Sequence, residues 1–206
     1  MRVEVYFDIL CPWCYIGKRR LTTALADRGD VEVVWRSLEL DPDGSAVAGP
    51  TAAEVIAQYQ SSPERAAARV EHIQALGAAE GLELNLHKAR PVNSFDAHRL
   101  VRLGASHDLA DQTLEALLHG YHTEGLDIAA PDVLAALGVS AGLDPTEVRR
   151  TLAGDAFTQH VRADERSAVE RGIRGVPTLV TGEGPPVSLI QDPAVLAGLL
   201  EGTPRA

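Results

Sequence analysis

The stretch Phe7-Asp8-Ile9-Leu10-Cys11-Pro12-Trp13-Cys14-Tyr15-Ile16-Gly17-Lys18 decides how the rest of the chain reads. It holds both cysteines of the 206-residue chain, three positions apart. The alternating apolar residues Val3, Val5 and Phe7 lead into it, as in a half-buried strand. A helix-like run, residues 15–26, leads out. A Cys-x-x-Cys set between a strand and a helix is the context in which that short motif points to redox chemistry.

The placement has a direct physical consequence. Cys11 falls at a helix N-terminus, where unpaired backbone N–H groups and the helix dipole favour negative charge. Its anionic, nucleophilic form is favoured there. Pro12 suits the first helical position, because the N–H it lacks has no partner in that turn. Cys14 falls one turn inside. The pattern therefore makes Cys11 the attacking thiolate and Cys14 the resolving thiol. Two blander readings compete with this one. Free cysteines are often inert core residues. The other reading makes the pair half of a zinc set, with His119 and His122 as the other half. Zinc fingers place their histidines about a dozen residues on, whereas these lie over a hundred residues away. His72, His87, His107 and His160 show no ligand spacing either. No metal, nucleotide or flavin is implied.

Bulk properties narrow the partners. The chain is 45% hydrophobic, enough for a sizeable core in one large domain or in one domain carrying a large insertion. Its net charge is -10 and its pI about 5.1. Such a chain repels phosphates, so nucleic acid and anionic membrane surfaces are not expected partners. No apolar run approaches the ~18 residues of a membrane span. Met1 and Arg2 run straight into the first strand with no signal peptide, which points to the cytoplasm. A lone cysteine pair in that compartment is expected to be catalytic.

Along the chain, residues 2–8 read as a strand, 11–27 as a helix ended by Arg28-Gly29-Asp30, and 31–36 as a second strand. A β-α-β unit of this length is parallel and right-handed. Residues 37–50 form a loop rich in Asp, Gly, Pro and Ser. Seven helical segments follow. Thr51 and Glu54 make a capping box for the first, and Ser62-Pro63 opens the second, which ends near Gly81. Asn93-Ser94 caps the third. Leu114, Leu117, Leu118 and Tyr121 mark the fourth by their spacing. Pro131 and Pro145 start two more, and residues 155–171 make the last. Strand signals return at 175–180 and 187–190, joined by a turn over 182–186, and Asp192-Pro193 opens a final amphipathic helix. The order is β-α-β, helical insert, β-β-α. The fold class is α/β: a thioredoxin-like fold made of residues 1–38 and 173–206, with an all-helical domain, 39–172, inserted.

Several further blocks share one pattern with the cysteine motif: Asn93-Ser94-Phe95-Asp96-Ala97-His98-Arg99-Leu100, Thr123-Glu124-Gly125-Leu126-Asp127-Ile128, and Gly172-Ile173-Arg174-Gly175-Val176-Pro177. With these the chain resembles the DsbA-like thiol–disulfide oxidoreductases, and within them the cytosolic FrnE-type branch. The resemblance spans nearly the whole chain. It implies thiol–disulfide exchange at Cys11 and Cys14. It also implies a cis Pro177 facing the cysteines, so that the Val176 backbone pairs with an extended substrate segment. Pro12 and Trp13 complete the implied substrate surface. Protein or small-molecule disulfides and dithiols are the partners, glutathione among them. One block departs: Leu189-Ile190-Gln191 stands where such chains usually carry Gly-Ala-Gln.

The same superfamily includes kappa-class glutathione transferases and 2-hydroxychromene-2-carboxylate isomerases. These usually have Ser where Cys11 stands, so the pair kept here argues against that glutathione-dependent alternative. A non-catalytic binding module is a third reading. Among secondary residues, Asp8 either ends strand one or acts on the thiols, and Asn93 and His98 either serve as a helix cap and a helix-face residue or line an interdomain cleft. Lys18 and Arg19 read as a solvated face. Trp13, Tyr15 and Phe95 are expected to make that cleft largely apolar.

Overall fold

The computed structural model describes residues 1–26, 28–182 and 184–201. Strand β1 (Arg2–Phe7) leads into helix α1 (Pro12–Ala24), and β2 (Glu32–Ser37) follows. Seven helices come next: α2 (Ala52–Gln58), α3 (Pro63–Ala79), α4 (Phe95–Ala105), α5 (Ala110–His119), α6 (Pro131–Ser140), α7 (Pro145–Ala153) and α8 (Thr158–Glu170). A π-helical turn, Gly120–Glu124, extends α5. Then β3 (Thr178–Thr181), β4 (Val187–Ser188) and α9 (Pro193–Glu201) close the chain.

The sheet order is β2-β1-β3-β4. β1 pairs in parallel with β2, with Val5 opposite Trp35, and antiparallel with β3, with Val5 opposite Leu179. β1 is thus interior, and both of its faces are covered. Val3, Val5 and Phe7 point into the main core, which also takes Ile16 and Leu21 of α1 and Leu196 of α9. Tyr6 points the other way, into a smaller cluster with Ala168, Ile173 and Val180. That second face is covered by α8, which the sequence reading groups with the insertion. Tyr6 Oη lies 3.0 Å from Ser167 Oγ of α8. The alternation in the sequence shows only the first face; a doubly covered strand is apolar on both.

The main core runs on without a break into the inserted helices, through Leu100 and Leu103 of α4 and Leu114, Leu117 and Leu118 of α5. The predicted start signals hold. The Thr51–Glu54 capping box forms in both directions, and Ser62 Oγ accepts from Arg65 N. At α4, however, the Ser94 side chain makes no cap bond; Asn93 Oδ1 accepts from Phe95 N at 3.1 Å instead. The first helix is shorter than read. It stops at Ala24, where Thr22 and Thr23 turn their hydroxyls back to the Lys18 and Arg19 carbonyls and no basic residue or glycine caps the end. Asp27, Glu183 and residues 202–206, included in the predicted helix, turn and terminal segment, lie outside the described residues.

Candidate active site

Cys11 is the N-cap of α1, with extended backbone and its side chain free of any cap bond. Pro12 takes the first helical position, and Cys14 N donates to the Cys11 carbonyl at 2.9 Å. Both thiols are free and buried. The Val176–Pro177 bond is cis, and the Cys11 thiol points to the Val176 carbonyl at 3.7 Å. The two segments, 165 residues apart, therefore meet where the sequence places them. Gly17 explains the close fit. A Cβ there would lie 3.1 Å from Pro177 Cγ and 3.1 Å from Leu189 Cδ2, so any larger residue would push the proline loop back from α1 by a few tenths of an ångström. Leu189, part of the departing block, is wholly buried at that contact.

Beneath the thiols lies a polar layer. Asp8 is fully buried at the end of β1. Its Oδ1 accepts from Leu10 N at 3.2 Å and lies 3.3 Å from His98 Nε2; its Oδ2 accepts from Leu40 N at 2.6 Å. Burial opposes its charge, but His98 and the two backbone N–H groups outweigh that and hold the carboxyl below its usual range. The Cys14 thiol is pushed well up, by burial first, then by Cys11, with the Asp8 charge adding to it. The π-helical turn brings two more residues under the motif. Burial pushes His122 down to about 4, against the pull of the Ile9 and Cys11 backbone and of Asp8. Burial and the Asp8 charge push the Tyr121 phenol up. His122 Nε2, Tyr121 Oη, His98 Nδ1 and Ser94 Oγ are buried without a hydrogen-bond partner.

Sequence reasoning missed Tyr121 and weighed His122 only as a metal ligand. Tyr121 falls in the apolar stripe of α5 and so reads as packing. The π-helical turn that swings His122 under Cys11 leaves no signature in hydrophobic spacing. His98 does not line a cleft: it is buried beside Phe7, ring centroids 4.9 Å apart.

Two other expectations are corrected. Lys18 is not on a solvated face. It is 3% exposed, and its Nζ reaches Glu115 Oε2 at 2.8 Å and Asp111 Oδ2 at 3.0 Å on α5. Arg19 and the Tyr15 hydroxyl donate to Glu115 Oε1, at 2.7 and 2.8 Å. Tyr15 is therefore turned into the α1–α5 contact, because a buried phenol needs a partner and finds this carboxylate. Phe95 lies under the Arg162 guanidinium, 4.3 Å from its centroid. A separate cleft of about 570 Å³ lies beside α1 and α5, along Lys18, Arg19, Asp111 and Glu115, and neither the cysteines nor Pro177 line it. Of the three aromatics expected at an apolar cleft, Trp13 alone stands at the thiols, partly exposed, with Arg69 over its ring at 5.0 Å.

Comparison with known proteins agrees with this geometry. The model of the DSBA-like thioredoxin domain matches residues 2–200. A probable DsbA oxidoreductase from Streptomyces coelicolor is 38% identical and superposes with a TM-score of 0.91, over 100% of this chain and 93% of that one. A cytosolic disulfide reductase, DsbM, from Pseudomonas aeruginosa, also solved with GSH, has the same fold at 17% identity. Its TM-score is 0.66, over 98% of this chain and 97% of that chain. A 2-hydroxychromene-2-carboxylate isomerase shares the fold at 19% identity and a TM-score of 0.70, over 98% of this chain and 93% of that one. No helix among the described residues is long and apolar enough to cross a membrane. With its cysteine pair at the head of α1 and the Pro177 loop against it, this chain belongs to the family of DSBA-like thioredoxin domains, the thiol–disulfide oxidoreductases.

Proposed function

We propose that the chain is a cytosolic dithiol–disulfide oxidoreductase working through the Cys-Pro-Trp-Cys pair, in the manner of the FrnE-type branch. The observation that carries this reading is the Cys11 thiol at the N-cap of α1, facing the Val176 carbonyl, with the buried Cys14 thiol one turn behind. Cys11 thiolate attacks a substrate disulfide, forming a mixed disulfide and releasing one thiolate. Cys14 then attacks the Cys11 sulfur, releasing the second thiolate and closing the Cys11–Cys14 disulfide. Substrate oxidation is the same path reversed. Pro12, Trp13, Val176 and Pro177 form the surface that receives the substrate backbone. Residues 1–38 and 173–206 act as the redox domain and 39–172 as the helical domain that bounds its approach. The cytosolic reductase with the same fold, solved with GSH, supports the setting and glutathione as a thiol partner.

Insulin reduction with a dithiol reductant tests this. Reductant consumption that depends on both cysteines is expected. Conjugation or isomerisation of an electrophilic substrate with glutathione, without net reductant consumption and with Cys14 dispensable, would contradict it.

A further inference from the structure

Helix α3 carries a row of basic side chains that the exchange chemistry does not use. Arg65, Arg69 and His72 follow one another at i, i+4 and i+7, which places them along one flank. All three are exposed. The core side of α3 is a different one, formed by Ala66, Val70, Ile73 and Gly77. The acids nearest in sequence, Glu64 and Glu71, lie roughly 110–130° round the helix from the centre of this row, on the side away from the core. Among the described residues none of the three basic side chains is in an ion pair.

This flank is tied to the redox site. The Arg69 guanidinium lies 5.0 Å from the centroid of Trp13, the residue between the cysteines, and the His72 ring lies 6.2 Å from it. Further along, Arg20 of α1 pairs with Glu80 at 2.7 Å. The two contacts order α3 in the same direction as α1, with Arg69 level with Trp13. Arg65, one turn earlier, then lies toward the end of α1 that carries Cys11. In a chain of net charge -10, Arg69 thus lies against the motif and Arg65 follows it along the same flank of α3, one turn nearer the Cys11 end.

We propose that Arg65 and Arg69, with the face of Trp13, form a carboxylate-recognising arm, so that this protein exchanges preferentially with disulfides bearing carboxylates near the sulfur atoms. The inference rests on the thiol–disulfide exchange proposed above. The anionic end of the substrate lies along α3 while its sulfur meets Cys11. The two protein thiols supply the electron pair: one substrate disulfide becomes two thiols as the Cys11–Cys14 disulfide forms.

The test uses the reduced full-length protein in single-turnover exchange. Three small disulfides of similar length serve as probes: 3,3′-dithiodipropionate (a dianion), bis(2-hydroxyethyl) disulfide (neutral) and cystamine (a dication). Each rate is divided by the rate of the same disulfide with free dithiothreitol, which removes intrinsic reactivity. The normalised rate is expected to fall in that order. The double substitution Arg65→Gln/Arg69→Gln should slow the dianion about tenfold, as should high salt with the native protein. It should change the neutral probe less than about twofold, and Arg69→Glu should favour cystamine. The exposed positions make these variants fold-neutral, and the neutral probe reports it. A charge preference that persists after both substitutions, or none in the native protein, overturns the arm and leaves the exchange reading standing. No exchange with any probe overturns the exchange reading, and the arm with it.

Discussion

Asp8 stands three residues before Cys11 and carries a charge where the fold has excluded water. Two backbone N–H groups and His98 satisfy that carboxylate; burial first, then Cys11, push the Cys14 thiol up, and the Asp8 charge adds a smaller push in the same direction. Asp8→Asn turns an amide NH₂ toward a backbone N–H and removes the charge. It should cost about 1–3 kcal/mol, seen as a lower urea midpoint. In a Cys11→Ser background it should also move the pH midpoint of Cys14 alkylation downward. An unchanged or higher midpoint would show that the carboxylate does not act on Cys14. The sequence leaves Asp8 ambiguous between a strand end and a thiol neighbour. Its partners, Leu40 and His98, lie 32 and 90 residues away, and local pattern does not report such distances.

At the scale of elements, α1 is held to α5 through Lys18, Arg19, Tyr15, Asp111 and Glu115. The two carboxylates are unequal. Asp111 is 58% exposed, so its bond to Lys18 is worth little, under about 1 kcal/mol. Glu115 is half as exposed and accepts from three groups, and these partners hold its carboxyl below the usual range although burial opposes them. Glu115→Ala leaves the buried Lys18 ammonium with only the exposed Asp111. It should cost about 3 kcal/mol, against less than 1 for Asp111→Ala, by urea unfolding. Lys18→Met, which removes the charge and keeps the stem, should cost less than Glu115→Ala. Equal losses for the two carboxylate variants would mean that the cluster is a surface feature. Elements of this kind were the most legible part of the chain. Caps at Thr51 and Ser62, prolines at helix starts and the parallel β1–β2 pair follow from local chemistry. What covers Lys18 does not, because helical periodicity shows which face is apolar and not which partner arrives on a polar one.

For the molecule as a whole, the inserted helices reach back under the motif through His122. Its imidazole falls from 6.5 unfolded to about 4 folded. The unfolded chain therefore binds the extra proton between these values. The stability linked to His122 is complete above about pH 6.5 and is lost as pH falls toward 4. The loss is about 3 kcal/mol at most. Glu39 works the other way: burial first, then Glu165, pushes it up to about 8, so stability declines as pH rises through that range. The informative quantity is therefore the difference between the native protein and His122→Gln, in which Glu39 cancels. Between pH 7 and 4 the native protein should lose about 3 kcal/mol more than the variant, by urea unfolding at each pH. Parallel profiles would remove His122 from the acid response. The architecture and the meeting of Cys11 with Pro177 could be read from the order of elements and the motif blocks. The polar layer beneath them could not, since it is assembled from β1, α4 and the π-helical turn only when the chain is folded.

The two thiols divide the labour of exchange, and trapping of mixed disulfides measures that division. Cys14→Ser and Cys11→Ser proteins are incubated with an oxidised protein substrate, acid-quenched, and analysed by non-reducing electrophoresis and mass spectrometry. The account predicts mixed disulfides through Cys11 that accumulate with Cys14→Ser and are nearly absent with Cys11→Ser. Equal trapping by the two variants, or trapping through Cys14 alone, would contradict it.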